Sequence, residues 1–285
     1  MVTLQEPAYA KLNLTLDVLN RREDGYHNVK MILQAINLHD DVDITLGTKA
    51  PWSVTCDNEK IPAGQENLCY KAAKLYFDRT KKDPDGLNIH ITKRIPDQAG
   101  LGGGSADAAA VLRALNRNDN EFFELGELLN LAAEVGSDVP FCVLGGTALA
   151  EGRGEELTQL PALPACYYVV CKPGFSSSTK QLYEALDAIQ IVSRPKTEEM
   201  IHALEEQNLV KVGELLKNVF EPLMADQHLE IRRMQTVLRD CGAFGACMTG
   251  TGSAVYGMFE SFDLAAMASM TLMEKGFETF LAMNV

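Results

Sequence analysis

Apolar and polar residues alternate near the start of the chain. Every second position is apolar, at Leu12, Leu14, Leu16 and Val18. A period of two predicts a β-strand with one buried face, so the polar residues between them, such as Lys11 and Asn13, would lie on the other face. Two further apolar runs, at residues 29–38 and 42–46, predict two more strands.

The next hundred residues combine helical spacing with one clear strand. Residues 67–80 and 121–135 place apolar side chains three or four positions apart, which predicts helices. Residues 87–94 alternate and predict a strand, and a helix is expected over residues 105–116. Gly136 would end the helix before it in the left-handed conformation.

Residues 161–164 contain two prolines and are the best candidate for a linker. A second α+β region follows them. Strands are predicted at residues 167–172 and 277–283, with a strand-loop-strand unit over 243–259 between them. Several helices are expected between residues 179 and 240, and a further one over residues 263–275. The pattern predicts an α+β protein of two domains, residues 1–160 and 161–285.

Composition narrows the class of function. The 285 residues contain 26 Lys and Arg against 39 Asp and Glu, a formal charge of −13, which counts against broad binding to nucleic acid or anionic membranes. Seven cysteines without a C-x-x-C pair indicate reduced, mostly buried thiols in a cytosolic protein. The start of the chain does not resemble a signal peptide, and no apolar stretch has membrane-helix length. A cytoplasmic location is therefore expected.

A glycine-rich segment at residues 96–105 carries the strongest chemical signal. It joins a predicted strand to a predicted helix and holds four glycines in five positions, at Gly100, Gly102, Gly103 and Gly104. Glycine is costly in regular structure and is retained where backbone must adopt positive φ or approach a ligand closely. The amides at a helix N-terminus bind anions, so this segment predicts a phosphate site, with Ser105 as N-cap or hydroxyl donor.

Other interpretations of this segment are weaker. A flexible turn followed by an ordinary helix cap would explain a single Gly-x-Gly, but not this density of glycine. The segment lacks the Gly-Lys-Ser/Thr of a Walker loop, and Ser105 stands where the Rossmann fingerprint requires its third glycine.

Three other segments are ambiguous in isolation. Asp138 follows a helix and precedes Pro140 by two positions, so it is either a fixed catalytic carboxylate or a residue that only forms an Asx-turn or caps a helix. Lys11 alone would more often be a solvated surface lysine. Residues 248–255 have the composition of a tight hairpin.

Taken together, these segments resemble the motifs of the GHMP kinases, which are ATP-dependent kinases of small molecules. The three motifs correspond to residues 7–14, 100–106 and 248–253. Residues 22–27, 136–141 and 152–155 are most similar to the family members that phosphorylate the 2-hydroxyl of a cytidine-diphosphate-linked methylerythritol. The resemblance implies a two-domain α+β fold, with an N-terminal domain like ribosomal protein S5 domain 2 and a ferredoxin-like C-terminal domain.

The resemblance also implies roles for individual residues. Asp138 would accept the proton of the attacking hydroxyl, while Lys11 would hold that carboxylate ionised and stabilise charge on the incoming oxygen. ATP would bring Mg²⁺, for which no protein ligand is identified. The phosphates of ATP would lie on the residues of the glycine loop, namely Pro96, Asp97, Gln98, Ala99, Gly100, Leu101, Gly102, Gly103, Gly104, Ser105 and Ala106.

Substrate and base contacts are implied in the same way. Tyr26 and Tyr183 would enclose the cytosine ring, His27 would read its edge, and Asn13 would contact the erythritol hydroxyls. The third motif, through Gly250, Thr251 and Gly252, would close on the diphosphate and steady the phosphate loop. Asn67 and Lys93 stand where the family lines its adenine pocket.

The chain departs from the family pattern at Ala106, where a second serine is usual, and at Gln98, where small residues are usual. Thr249 and Thr251 replace serines that are common in the third motif. Two alternatives stay open: another GHMP kinase, acting on homoserine, mevalonate or a related alcohol, and a non-catalytic nucleotide-binding or interaction protein of the same fold. Neither nucleic acid nor membrane is an expected partner, and the chain would be a monomer or a homodimer.

Overall fold

The computed structural model describes residues 1–285, which form a mixed α/β structure. The strands are β1 (Val2–Arg21), β2 (His27–Leu46), β3 (Ser53–Cys56), β4 (Leu87–Thr92), β5 (Thr147–Glu151), β6 (Glu156–Gln159), β7 (Tyr167–Lys172), β8 (Lys217–Asn218), β9 (Gly245–Met248), β10 (Val255–Phe259) and β11 (Glu278–Met283). The helices are α1 (Leu68–Thr80), α2 (Gly103–Asn118), α3 (Leu125–Val135), α4 (Val139–Leu144), α5 (Thr179–Asp187), α6 (Thr197–Glu205), α7 (Leu209–Leu215), α8 (Glu221–Gln227), α9 (Leu229–Asp240) and α10 (Phe262–Glu274).

The chain forms two compact units that are assembled from interleaved segments. The first unit contains Met1–Ala10, His39–Ile95 and Gly102–Gly145. The second unit contains Lys11–Leu38, Pro96–Leu101 and Gly146–Val285. The domain boundary between residues 160 and 161 is a division along the chain, and it stays a prediction.

In the first unit, helices pack beside strands that belong to a seven-stranded sheet. The second half of β2 pairs antiparallel with β4, and β3 pairs parallel with β4. Helix α2 packs against α1 and α4. Its residues from Ala106 to Leu112 are all buried. The three consecutive alanines at 108–110 favour helix and are small enough to let neighbouring elements approach closely.

In the second unit, a four-stranded antiparallel sheet has the order β11-β7-β10-β9. Numbered along the chain, this is 4-1-3-2, the order of a ferredoxin-like domain. Helices α9 and α10 pack against this sheet. The expected ferredoxin-like C-terminal region is therefore confirmed, and its strand β7 has the predicted bounds. The second unit also holds β5, which pairs with β2 and β6, and β8, which pairs parallel with β1.

The strand β2 corrects one expectation, because a single strand replaces the two predicted at 29–38 and 42–46. The polar residues between those runs suggested a break. In the structure, the carboxylate of Asp40 is buried and accepts hydrogen bonds from the backbone N–H groups of Arg94 (2.5 Å) and Ile95 (2.8 Å). The polar side chain is satisfied inside the fold, so the strand continues through it.

Gly136 corrects a second expectation. Helix α3 ends at Val135 as predicted, but it begins at Leu125, four residues later than predicted. Gly136 has a φ of 179°, which is extended backbone that any residue adopts. The helix therefore stops without the left-handed glycine that the sequence suggested.

All seven cysteines are free thiols. Burial raises the pKa of Cys166 to about 11 and that of Cys171 to about 12. The five buried cysteines are Cys69, Cys142, Cys166, Cys171 and Cys247, whereas Cys56 and Cys241 are half-buried.

None of the helices combines the length and the apolar character that crossing a membrane requires.

Candidate active site

Lys11 and Asn13 lie on β1, and both are buried, with 4% and 1% of their surface exposed. They share a face of the strand because their positions differ by two. Nζ of Lys11 donates to Oδ1 of Asn13 at 2.7 Å. Lys11 is therefore not the solvated surface lysine that an isolated sequence position would suggest.

Asn13 joins the first motif to the third. Its Oδ1 accepts a hydrogen bond from the backbone N–H of Gly250 at 2.9 Å. Its own backbone N–H donates to Oγ1 of Thr249 at 3.1 Å, and its carbonyl accepts from the hydroxyl of Tyr256 at 2.8 Å. With Lys11 as a further donor, most of the polar capacity of Asn13 is used inside the protein. Its contact with the substrate hydroxyls stays a prediction.

The first part of the glycine loop joins the same cluster. The backbone N–H of Lys11 donates to the carbonyl of Leu101 at 3.0 Å, and that of Ala254 donates to the carbonyl of Ala99 at 3.2 Å. Gly100 has a φ of +77°, and a Cβ atom there would lie 2.2 Å from the carbonyl oxygen of Thr249. Glycine is therefore required at this position both by backbone conformation and by close approach.

The second part of the loop begins helix α2. Gly102 is the N-cap, in the left-handed conformation, and the helix starts at Gly103. Ser105 lies inside the first turn and is not the cap, which corrects that expectation. The backbone N–H of Ala106 bonds to the carbonyl of Gly102 at 2.8 Å, whereas the amides of residues 103–105 precede the first intrahelical bond. These three amides can bind an anion.

The family departures occupy distinct environments. Ala106, where a second serine is usual, is 1% exposed and faces the interior. Gln98 has a φ of +51°, a conformation that non-glycine residues adopt only rarely. Thr249 uses its hydroxyl within the motif cluster, where Oγ1 lies 3.2 Å from the carbonyl oxygen of Gly100.

Lys93 forms a buried ionic cluster in the first unit. Its Nζ donates to Asp40 at 2.5 Å and to Asp107 at 2.9 Å, and all three side chains are at most 8% exposed. Oδ1 of Asp107 has no hydrogen-bond partner. Burial, together with the neighbouring Asp40, raises the pKa of Asp107 to about 7, although Lys93 acts in the opposite direction. Burial alone would lower the pKa of Lys93. The charges and hydrogen bonds of Asp107 and Asp40 together outweigh this effect, so the pKa of Lys93 is raised.

The two residues predicted for the adenine pocket therefore both have internal partners. Lys93 is held by two carboxylates. Asn67 is the N-cap of α1, where its Oδ1 accepts from the backbone N–H of Cys69 at 2.8 Å. Its Nδ2 donates to the carbonyl of Pro62, also at 2.8 Å. Their contacts with adenine stay a prediction.

Asp138 occupies the N-cap position of the short helix α4, which has Pro140 in its first turn. The side chain of Asp138 makes no capping hydrogen bond, although the position would allow one. The carboxylate is half-buried. The helix-capping alternative therefore does not use this side chain, and the carboxylate is available for other chemistry.

The residues predicted to bind cytosine lie at the start of β2 and on helix α5. The ring of His27 packs against that of Tyr183, with centroids 4.8 Å apart and planes inclined at 31°. Tyr26 is 56% exposed, and the guanidinium of Arg153 lies 5.5 Å from its ring centroid. Enclosure of a base between the two tyrosines stays a prediction.

Asp187 is a residue that the sequence interpretation missed. It lies on α5 one turn after Tyr183, and its carboxylate is 2.8 Å from Nε2 of His27. Residues four apart share a face of a helix, so this spacing could have identified it.

In the third motif, Gly250 and Gly252 adopt positive φ, and the hydroxyl of Thr251 lies 3.0 Å from that of Thr179.

Two surface cavities lie away from these residues. One, of about 410 Å³, is lined by residues that include Trp52, Tyr70 and Phe77. The other, of about 540 Å³, is lined by residues that include Arg233 and Phe277. Neither is lined by a residue predicted for the site. No group of three His, Cys, Asp or Glu side chains is arranged to hold a metal ion.

Comparison with known proteins places this architecture in a family. The family model of the GHMP kinases N terminal domain matches residues 67–146, and that of the GHMP kinases C terminal region matches residues 200–269. A protein of Acetivibrio thermocellus named 4-diphosphocytidyl-2-C-methyl-D-erythritol kinase is 41% identical over 285 residues, covering 100% of both chains. A protein of the same name from Caldicellulosiruptor saccharolyticus is 44% identical over 252 residues, covering 88% of this chain and 87% of the relative.

Solved structures agree with these sequence relatives. A crystal structure of 4-(cytidine 5'-diphospho)-2C-methyl-D-erythritol kinase matches with a TM-score of 0.81 and 33% identity, covering 98% of each chain. A homoserine kinase from Cytophaga hutchinsonii also has a TM-score of 0.81, with 99% of this chain and 94% of that chain covered, but at 19% identity it shows the fold alone. The resemblance found in the motifs is confirmed, and the chain belongs to the GHMP kinase family.

Proposed function

We propose that this chain is a kinase that transfers the γ-phosphoryl group of ATP to the 2-hydroxyl of 4-diphosphocytidyl-2-C-methyl-D-erythritol. The product would serve isoprenoid precursor synthesis by the non-mevalonate route. The observation that carries this proposal is the buried cluster around Asn13 and Thr249, which joins the first and third motifs to the glycine loop. Full-length relatives with this activity in their names support the choice of substrate.

The glycine loop would bind the phosphates of ATP through its backbone. The amides of Gly103, Gly104 and Ser105 precede the first hydrogen bond of α2, and the helix dipole adds favourable charge at the same point. The remaining loop residues, 96–102 and Ala106, would shape this cradle. A chain with a net charge of −13 can thus hold a polyanion without a basic surface.

Asp138 would orient the attacking hydroxyl and accept its proton, since its carboxylate is not used as a helix cap. Lys11 would stabilise the charge that develops on that oxygen, through an ammonium that Asn13 holds in place. Phosphoryl transfer has a loose transition state, so positioning and electrostatic stabilisation supply most of the rate enhancement. A weak base is therefore sufficient at Asp138.

Tyr26, His27 and Tyr183 would bind the cytosine, and Gly250, Thr251 and Gly252 would close on the diphosphate. Base stacking of this kind contributes about 0.5–1.5 kcal/mol beyond the buried area. Asn13 would contact the erythritol hydroxyls, and Asn67 and Lys93 would line the adenine pocket. These assignments follow the family motifs.

Mg²⁺ would arrive bound to ATP, because phosphate oxygens and water are its usual ligands and the chain presents no cluster of metal-binding side chains. When bound, it would neutralise phosphate charge. We assign no protein ligand to it. A cytoplasmic location and a monomeric or homodimeric state complete the proposal.

A phosphoryl-transfer assay with Mg-ATP tests the substrate. The panel contains the cytidine-diphosphate-linked methylerythritol, methylerythritol phosphate without cytidine, homoserine and mevalonate. We expect turnover of the first compound only. The rings of Tyr26 and Tyr183 beside His27 can bind a nucleobase, which homoserine and mevalonate lack. Turnover of homoserine or mevalonate would favour another GHMP kinase, and ATP binding without any turnover would favour the non-catalytic alternative.

A further inference from the structure

The ring of His27 is fixed from two sides within the second unit. Nε2 lies 2.8 Å from Oδ1 of Asp187, and the face of the ring packs against Tyr183. The histidine side chain is 8% exposed, whereas that of Asp187 is 37% exposed. The other oxygen of Asp187 lies 3.8 Å from the guanidinium of Arg21, which completes the chain of contacts.

The chemistry of this contact determines where the imidazole carries its hydrogen. An ionised carboxylate only accepts hydrogen bonds, so Nε2 must carry a hydrogen to bond to Asp187. In a neutral imidazole with hydrogen on Nε2, Nδ1 is an acceptor. A hydrogen-bond donor on the ligand is then the complement of Nδ1.

We propose that Asp187 is a positioning residue that holds His27 as the Nε2–H tautomer and thereby makes the site select cytosine over uracil. Position 4 of cytosine carries an amino group, which donates, whereas the same position of uracil carries a carbonyl oxygen, which accepts. An acceptor at Nδ1 pairs with the amino group and opposes the carbonyl. This inference rests on the proposed function, since it takes His27 as the residue that reads the base edge.

Replacing Asp187 by asparagine tests the tautomer while preserving shape. An asparagine side chain both donates and accepts, so it supports either tautomer of His27, and the Nδ1–H form can donate to the carbonyl of uracil. The matched control is Glu184→Gln, which removes a carboxylate from the same helix. Glu184 is 65% exposed and pairs with Lys180 at 4.0 Å.

The kinetic experiment compares kcat/KM for the cytidine- and uridine-diphosphate-linked methylerythritols. We expect wild type and Glu184→Gln to prefer the cytidine compound equally, and Asp187→Asn to reduce that preference at least about tenfold, the effect of one well-placed hydrogen bond. The KM for ATP should not change. Equal losses on both substrates would show that Asp187 is only structural and would overturn the proposal.

A second measurement does not depend on turnover. The ¹⁵N shifts of the imidazole nitrogens report the tautomer of His27 in the free protein, and the peak can be assigned with His27→Gln among only five histidines. We expect Nε2–H in wild type and a mixture in Asp187→Asn. A protonated ring or the Nδ1–H tautomer in wild type would overturn the inference. Absence of wild-type activity on both nucleotide substrates would instead contradict the proposed function.

Discussion

The backbone N–H of Gly250 donates to Oδ1 of Asn13 at 2.9 Å, across 237 positions of sequence. This bond connects strand β1 to the loop between β9 and β10, two segments that neither a local pattern nor a secondary-structure preference would bring together. Thr249, the residue before Gly250, strengthens the link, because its Oγ1 accepts from the backbone N–H of Asn13. The geometry of the candidate site therefore depends on a few buried hydrogen bonds.

The first prediction concerns the Thr249 hydroxyl. Thr249→Val keeps the shape but leaves the buried N–H of Asn13 without an acceptor, which should lower the free energy of unfolding by about 1–3 kcal/mol. Urea unfolding followed by circular dichroism measures it. Thr236→Val, at an exposed position of α9, is the control and should change stability by less than about 0.5 kcal/mol. Equal effects of the two variants would contradict the role given to Thr249.

The second prediction concerns the buried lysine. Lys93→Met leaves Asp40 and Asp107 without their common cation, and breaking a buried ion pair on one side typically costs about 3–5 kcal/mol. Chemical unfolding at pH 8 measures this loss. Lys74→Met removes one partner of an exposed pair with Asp78 and should cost less than about 1 kcal/mol. A loss as small as that of Lys74→Met would show that the cluster adds little stability.

The third prediction is a pH dependence that arises from Asp107. Its pKa is raised from 3.8 to about 7 by burial, so between these values the folded protein retains a proton that the unfolded chain has lost. The contribution of Asp107 to stability should then fall as the pH rises from about 4 to about 7, by up to about 1.4 kcal/mol per pH unit.

Asp107→Asn should remove this contribution. The free energy of unfolding of the variant, measured relative to that of wild type, should rise between pH 5 and pH 7.5, while that of Asp78→Asn, an exposed control in the same unit, should stay parallel to wild type. Parallel profiles of wild type and Asp107→Asn would mean that Asp107 titrates outside this window.

The fourth prediction separates chemistry from binding. Asp138→Asn keeps the size of the side chain but removes the proton acceptor, so kcat should fall by about 10²-fold or more while the affinity for ATP changes little. Steady-state kinetics and calorimetric titration of ATP measure the two effects. A variant with nearly normal kcat would remove Asp138 from the mechanism.

The fifth prediction concerns Tyr26. Tyr26→Ala removes an exposed ring that has no core role, so the fold should persist and the KM for the cytidine substrate should rise about tenfold. The KM for ATP should stay constant. Phe122→Ala is a suitable control, because that ring is also about half exposed, at 49%. If Tyr26→Ala changed both KM values equally, its role would be structural.

Much of the architecture could be predicted from the sequence, because the informative patterns are local. Strand β7 has the bounds that its apolar run predicted, and helix α1 begins one residue after the predicted start, with Asn67 as its cap. The glycine loop follows strand β4 and runs into the first turn of helix α2, which begins at Gly103, two residues before the predicted start. Period and capping chemistry suffice for such elements.

The rest depends on distant contacts that no window of sequence contains. The alternation around Lys11 correctly indicates two faces of β1, but it cannot show that both faces are buried. The polar face is covered by residues such as Thr249, which contacts Asn13 from 236 positions away in the sequence. The continuity of β2 depends on Asp40 meeting Lys93, Arg94 and Ile95, 53 to 55 positions away. Asp187 was missed because a carboxylate on a helix ordinarily indicates only a solvated surface.

Because the cysteines differ in burial, the rate at which each one is alkylated can measure local unfolding of the protein around it. Only a thiolate attacks an alkylating reagent, so Cys166 and Cys171, buried and with raised pKa values, must wait until the surrounding strands separate. Cys56 and Cys241 are half-buried and should react before the five buried thiols, although burial also raises the pKa of Cys56 and slows its reaction. The rates at which Cys166 and Cys171 themselves are alkylated, measured residue by residue by mass spectrometry with and without nucleotide, report whether ligand binding changes the opening of the C-terminal sheet.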